Sequence, residues 1–295
     1  MSPNFAGALF MIAAMLGFAV EDALFKAAVV TVSPGLATIA FGLSGLVFFA
    51  GAALATGQPL FPRRWSRWLS VRTGFEIGGR LFFALALAFA PLAETSAILQ
   101  AAPLVVTLGA ALVLKEAVPP AQWVAMAIGF GGVLLILRPA GALFEPALLF
   151  AVLGMIGFAG RDLATRAIPR DIGTLQLGVL GFGVVVVAGL VIWAAEGLPV
   201  AAPGPRGLLL PMAGAVGVLG YAAITRAMRT GEVGVVAPFR YTRLLAALLI
   251  AAIVFGERPD WMTYAGSVLI VATGIYTLTT SGARRRAALA RTERT

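Results

Sequence analysis

Nine ionisable side chains stand inside stretches of sequence that are otherwise apolar: Glu21, Asp22, Lys26, Glu76, Arg80, Arg161, Asp162, Arg240 and Arg243. A charge near the centre of a bilayer costs about 2.5–3.5 kcal/mol on insertion scales, so each must be paired or put to use. Five of them fall in three local pairs. Asp22 with Lys26, Glu76 with Arg80 and Asp162 with Arg166 are spaced i,i+4 with the acid first, the favourable order on one helix face. Helix geometry alone accounts for these pairs. Arg240 and Arg243 differ, because they share a face and no acid lies within four positions of them. Counted with Glu76 and Arg80, they leave the midplane with three bases and one acid. Arginine's planar fork suits a carboxylate or phosphate. A bound carboxylate is therefore expected at Arg240 and Arg243, with Tyr241 and Gln100, its counterpart 141 residues earlier, as secondary contacts. The alternative is that these arginines snorkel or bond backbone carbonyls at a break near Pro238. Phe18 and Phe158, beside the charges, are candidates for lining a cavity.

What the chain lacks limits the chemistry further. It has no cysteine and no histidine, which removes thiolate nucleophiles, the commonest metal ligands and every Ser-His-Asp arrangement. No metal site and no cofactor are expected. No P-loop motif is present, so the chain carries no ATP-hydrolysing engine of that kind. If a proton is carried, it must ride on a carboxylate: Glu21, Asp22 or Glu76.

The elements that hold these charges are membrane helices. Of 295 residues, 60% are hydrophobic and 12% charged, against about 25% charged in soluble domains. Residues 27–62 contain no Asp, Glu, Lys or Arg, and the Ser33-Pro34-Gly35 turn divides them between two helices. Further uncharged stretches run over 95–114, 117–137, 172–195, 207–225 and 261–283. With the charge-bearing segments from about Phe5, Gly74, Pro146 and Val233, they predict an all-α integral membrane protein of ten transmembrane helices. The first helix reads as a retained span, since no basic n-region precedes it. Fourteen basic residues fall in loops and tail on one side, against Arg138, Arg206 and Arg258 on the other, which predicts that both termini are cytoplasmic. The net charge of +9 thus serves topology and contact with anionic lipid, and nucleic acid is not an expected partner. The five tryptophans fall near span ends, as interfacial anchors do.

The two halves echo each other. Gly17-Phe18-Ala19-Val20-Glu21-Asp22 lies on Gly157-Phe158-Ala159-Gly160-Arg161-Asp162 at a shift of 140, and the Glu116 and Glu257 regions align at 141. The predicted units are 1–140, 141–281 and a basic tail, 282–295. Five spans per unit is odd, so the halves are inverted in the membrane, as in secondary transporters with a midplane site between repeats. Depth along the helices then places Glu21, Asp22 and Lys26 near the outer face and Arg161, Asp162 and Arg166 near the inner one, as two gates.

The run 93–116 followed by 123–137, with Pro103 and Glu116, and its counterpart 234–257 followed by 261–278, with Pro238 and Glu257, resemble the EamA family of the drug/metabolite transporter superfamily over nearly the full length. The stretch Ala237-Pro238-Phe239-Arg240-Tyr241-Thr242-Arg243 is similar to an alphaproteobacterial branch that includes S-adenosylmethionine uptake transporters. The resemblance implies a secondary, non-ATP transporter of the bacterial inner membrane. With the arginines, the expected cargo is a small amphipathic carboxylate-bearing metabolite (an amino acid, a derivative or an S-adenosylmethionine-like compound), moved by alternating access. No enzyme activity is expected, and a monomer or weak homodimer is. The alternatives are a multidrug or neutral-metabolite exporter and, from another class, a lipid-modifying membrane enzyme. A channel would need a ring of like charges or carbonyls, and none is visible.

Overall fold

A computed structural model describes residues 3–62, 65–113, 115, 118–138, 145–165, 173–199, 204–230 and 236–292. Every regular element among them is helical. The first repeat holds α1 (Pro3–Ala28), α2 (Pro34–Ala55), α3 (Arg67–Phe89), α4 (Leu92–Leu99), α5 (Ala102–Val113) and α6 (Pro120–Leu137). The second holds α7 (Leu148–Thr165), α8 (Thr174–Ala195), α9 (Leu209–Thr230) after a 3₁₀ turn at Pro205–Leu208, a 3₁₀ turn at Ala237–Tyr241 that leads into α10 (Thr242–Val254), and α11 (Trp261–Thr292). Local chemistry sets several starts. The Ser33 hydroxyl accepts from Leu36 N–H with Pro34 in the first turn, and the Ser66 hydroxyl accepts from Leu69 N–H.

Among the described residues, seven helical segments are long and apolar enough to cross a membrane: Pro3–Ala28, Pro34–Ala55, Leu92–Val113, Pro120–Leu137, Leu148–Thr165, Leu175–Ala195 and Pro205–Ala227. Ten were expected. Helix α3 carries Arg72, Glu76 and Arg80 within its span, which sets it apart from a plain apolar segment. The expected boundaries also move. Helix α3 begins at Arg67 rather than near Gly74, and α11 continues unbroken through the basic stretch expected as a tail.

The fourth segment of each repeat departs from α-helix near a proline, Pro103 in the first and, six residues out of register at the 141 shift, Pro238 in the second. Pro103 has no N–H for the Leu99 carbonyl, and the backbone tightens there into i→i+3 bonds, Gln100 N–H to Ala97 O at 3.1 Å and Ala101 N–H to Ile98 O at 3.0 Å. Pro238 stands in the equivalent 3₁₀ turn, Ala237–Tyr241. The two breaks touch: Gln100 Nε2 donates to the Arg240 carbonyl at 3.1 Å.

Helix pairing obeys a two-fold relation between the repeats. The first helix of each repeat packs on the third of the other, α1 on α9 and α7 on α3. Second packs on second (α2 on α8), fourth on fourth (α4 on α10) and fifth on fifth (α6 on α11). Glycines let the crossing helices approach. A Cβ on Gly17 would lie 3.5 Å from Gly220 Cα, and Gly157 meets the backbone of Gly79 in the matching crossing. Those pairs correspond, since Gly157 is 140 residues after Gly17 and Gly220 is 141 after Gly79.

Candidate functional site

The buried charges gather where α1, α3, α7 and α10 meet. Arg243, at the start of α10, donates to Asp22 of α1 through Nη2 at 2.6 Å and Nε at 3.2 Å, with the carboxylate side chain only 3% exposed. Its guanidinium lies over the Phe18 ring at 5.5 Å and near Phe83 at 5.9 Å. Glu76 of α3 forms an ion pair with Arg72 at 2.7 Å and faces Arg161 of α7 at 3.6 Å. Arg161 also holds Asp162 at 2.8 Å. The Phe158 ring joins the groups, with the guanidinium of Arg161 at 5.0 Å and that of Arg80 at 5.5 Å from its centroid. Cation–π contacts of this kind gain strength where water is excluded.

Three expectations need correcting. Neither Asp22 with Lys26 nor Glu76 with Arg80 forms an ion pair along its own helix; the charges pair across helices or with Arg72. A buried ion repays its desolvation only with close, well-oriented hydrogen bonds, and the tertiary partners supply them. The expected excess of two positive charges is also absent from the cluster. Glu21 and Asp22 belong to it, so Glu21, Asp22, Glu76 and Asp162 balance Arg72, Arg80, Arg161 and Arg243. Finally, Asp22 at 2.6 Å from Arg243 shares its depth, so the acids assigned to one face and the arginine assigned to the midplane form one network. Arg166 lies outside the described residues.

Beside this network lies a small cavity of about 30 Å³, room for little more than a water molecule in this conformation. Its walls are Phe25, Phe41 and Phe83 with Thr38, and its charged lining is Glu21, Asp22 and Arg80. Arg80 Nε is buried with no hydrogen-bond partner, which is costly unless another group uses it. Arg240, Tyr241 and Gln100 stand apart from this cavity. Tyr241 is 5% exposed and lies against Gly274 of α11, and its hydroxyl has no partner.

Lys26 also stands apart, at a junction between the repeats. Its Nζ donates to Ala90 O at 2.5 Å and Leu87 O at 3.4 Å, and it approaches Glu257 at 3.9 Å. The Glu257 carboxylate caps α4, accepting from Leu92 N–H at 2.8 Å and Ala93 N–H at 3.0 Å. Arg138 pairs with Asp260, which accepts from Thr263 N–H at 3.0 Å and from the Thr263 hydroxyl at 2.9 Å, with Glu94 3.4 Å from the same hydroxyl. Sequence reasoning missed Arg72, which it counted among loop bases although the residue is buried. The four-residue spacing from Arg72 to Glu76 was the available signal.

The EamA-like transporter family model matches this chain twice, over residues 5–138 and 145–280, and the chain belongs to that family. It is therefore a multi-pass membrane protein of the drug/metabolite transporter superfamily. An S-adenosylmethionine uptake transporter of Rickettsia bellii is 27% identical over 66% of this chain and 68% of the relative. A riboflavin transporter of Rhizobium johnstonii is 25% identical over 95% of this chain and 93% of the relative. A solved crystal structure superposes with a TM-score of 0.63 at 23% identity, over 94% of this chain and 98% of that one, which bears on the fold alone.

Proposed function

We propose that the protein is a secondary, non-ATP transporter that moves a small amphipathic carboxylate-bearing metabolite across the bacterial inner membrane by alternating access. The observation that carries this reading is Arg80, whose side chain lines a cavity walled by aromatic rings and whose buried Nε has no hydrogen-bond partner. The anion-binding role falls to Arg80 rather than Arg243, because Asp22 already holds Arg243. Two touching helix breaks at the repeat interface support the reading, since irregular backbone at membrane depth is tolerated where it lines a site. In this scheme α3, α10 and α11 also span, both termini are cytoplasmic, and the Lys26–Glu257 junction closes one end. The carboxylate of S-adenosylmethionine suits Arg80. Riboflavin, which has no carboxylate, suits the aromatic walls, and a neutral-metabolite exporter is the second reading.

The test is thermal stabilisation of the purified protein in detergent by carboxylates paired with their decarboxylated analogues, with S-adenosylmethionine and riboflavin included. A ligand at 100 times its Kd stabilises by about 2.7 kcal/mol. Carboxylates should stabilise the protein and Arg80→Gln should remove the effect. Equal stabilisation by the decarboxylated analogues, or by riboflavin alone, would favour the second reading.

A further inference from the structure

Two helix crossings that the internal repeat makes equivalent carry different charges. On α7, Arg161 sits one turn beyond Gly157; on α3, Glu76 sits three residues before Gly79, and the two charges pair at 3.6 Å. The matching crossing has Glu21 one turn beyond Gly17 on α1, and Gly217 three residues before Gly220 on α9. The correspondence holds at every position: Glu21 to Arg161 and Gly17 to Gly157 at 140, and Glu76 to Gly217 and Gly79 to Gly220 at 141. One crossing therefore has a base facing an acid. The other has an acid facing a glycine.

The consequence for Glu21 is visible in its surroundings. Asp22, Glu76 and Asp162 each have an arginine within 3.6 Å, whereas no base among the described residues reaches ion-pairing distance of Glu21. The residue is 7% exposed and lines the cavity with Arg80. Its carboxylate lies on the bare backbone of α9, where a Cβ on Gly217 would come 2.7 Å from Oε2. The other charges facing it are Asp22 beside it, Arg243, already engaged by Asp22, and Arg80 on the cavity wall. A buried carboxylate with no base at ion-pairing distance is costly. The gap where its repeat-mate has a partner indicates that the partner comes from outside the chain.

We infer that Glu21, seated over Gly217, is a subsite for the cationic group of the transported molecule, and that with Arg80 in the same cavity it selects zwitterions. The inference rests on the proposal that this cavity holds substrate. It adds what that proposal lacks, an ammonium or sulfonium centre on the cargo, and it gives Glu21 a ligand-binding role in place of a gating one.

The probes are phenylalanine, leucine and methionine, each compared with its deaminated acid and its decarboxylated amine, with half-saturating concentrations read from thermal shifts of the purified full chain. The unaltered protein should prefer at least one amino acid over its deaminated acid by about 10- to 100-fold, the range of a charge-assisted contact. Glu21→Gln should abolish that preference. Gly217→Ala, which crowds the carboxylate, should weaken the preference in the same direction and serves as the second variant if Glu21→Gln does not fold. Arg80→Gln should do the opposite, sparing the cation preference and removing the carboxylate preference. A preference that survives Glu21→Gln, or an unaltered protein that shows none across the set, overturns the subsite. If Arg80→Gln keeps the carboxylate preference while Glu21→Gln loses the cation preference, the carboxylate proposal fails and the subsite stands.

Discussion

Breaking the Asp22–Arg243 pair should cost more than any other single polar change in the cluster. The pair joins the first helix of one repeat to the broken segment of the other, through two hydrogen bonds of 2.6 and 3.2 Å. Its side chains are 3% and 18% exposed, so solvent screens it little. Removing one partner leaves the other charged and desolvated, at a cost of about 3–5 kcal/mol. Asp22→Asn keeps the shape but leaves Arg243 in a cluster that also contains Arg80, without its anion. A shift of about 2 °C per kcal/mol is expected for a chain of this size, so the unfolding midpoint should fall by about 6–10 °C. Arg243→Gln should fall by a similar amount, since it strands Asp22. The double variant removes both charges and should recover an interaction energy of about 2–3 kcal/mol relative to additivity. The assay is thermal unfolding in detergent, followed by emission from the five tryptophans. Strict additivity would show that the two residues act independently. Unchanged stability of Arg243→Gln with loss of ligand response would return Arg243 to the substrate and refute the structural role.

Two further predictions concern the junction between the repeats. Glu257→Ala leaves the Leu92 and Ala93 N–H groups without their acceptor and removes the anion beside Lys26, and should destabilise by about 1–3 kcal/mol, read as a lower unfolding midpoint; no change would mean that water replaces the cap. At Asp260, burial opposes ionisation, but the Thr263 N–H and hydroxyl and the Arg138 guanidinium outweigh it and hold the carboxyl below its ordinary range. A carboxyl lowered in the folded state contributes stability that is complete above about pH 4 and is lost as pH falls through its lowered value. The midpoint of Asp260→Asn should therefore fall less steeply than that of the unaltered protein on acidification below about pH 4, and parallel curves would remove Asp260 from the pH response.

The repeat was legible because its echo is local: Gly17-Phe18-Ala19 and Gly157-Phe158-Ala159 need no fold to be compared. The break near Pro238 was legible too, from what a proline does to a helix, whereas the one at Pro103 was not, because 95–114 reads as one uninterrupted span. The pairing of charges was not legible either. Spacing along one helix favours Asp22 with Lys26, whereas the partner that forms is 221 residues away. Choosing Arg243 requires knowing that α10 lies against α1, a fact of packing that no i,i+4 rule contains. Arg72 was hidden for a related reason. A base near the start of a span reads as a loop anchor until the helix is seen to begin at Arg67 and bury it.

The same reasoning separates the Glu21–Gly217 crossing from accidental drift between two repeats. A duplicated and inverted pair of helices begins with the same side chains at both crossings. One crossing here has Arg161 facing Glu76, a self-sufficient arrangement. At the other, two positions differ together: an acid stands where the mate has a base, and a glycine where the mate has an acid. Loss of the α3-type acid alone would have left room on α9, and an apolar residue at position 21 would then have filled it at a gain in packing. A carboxylate there instead costs desolvation, and it gains nothing from Gly217, which offers no side chain to meet it. Arg80 shows the complementary departure, standing at the position equivalent to Tyr221 of the second repeat. The two departures carry opposite charge and face one cavity. A ligand with both charges would satisfy each, which is why the asymmetry between the repeats points to the cargo rather than to the fold.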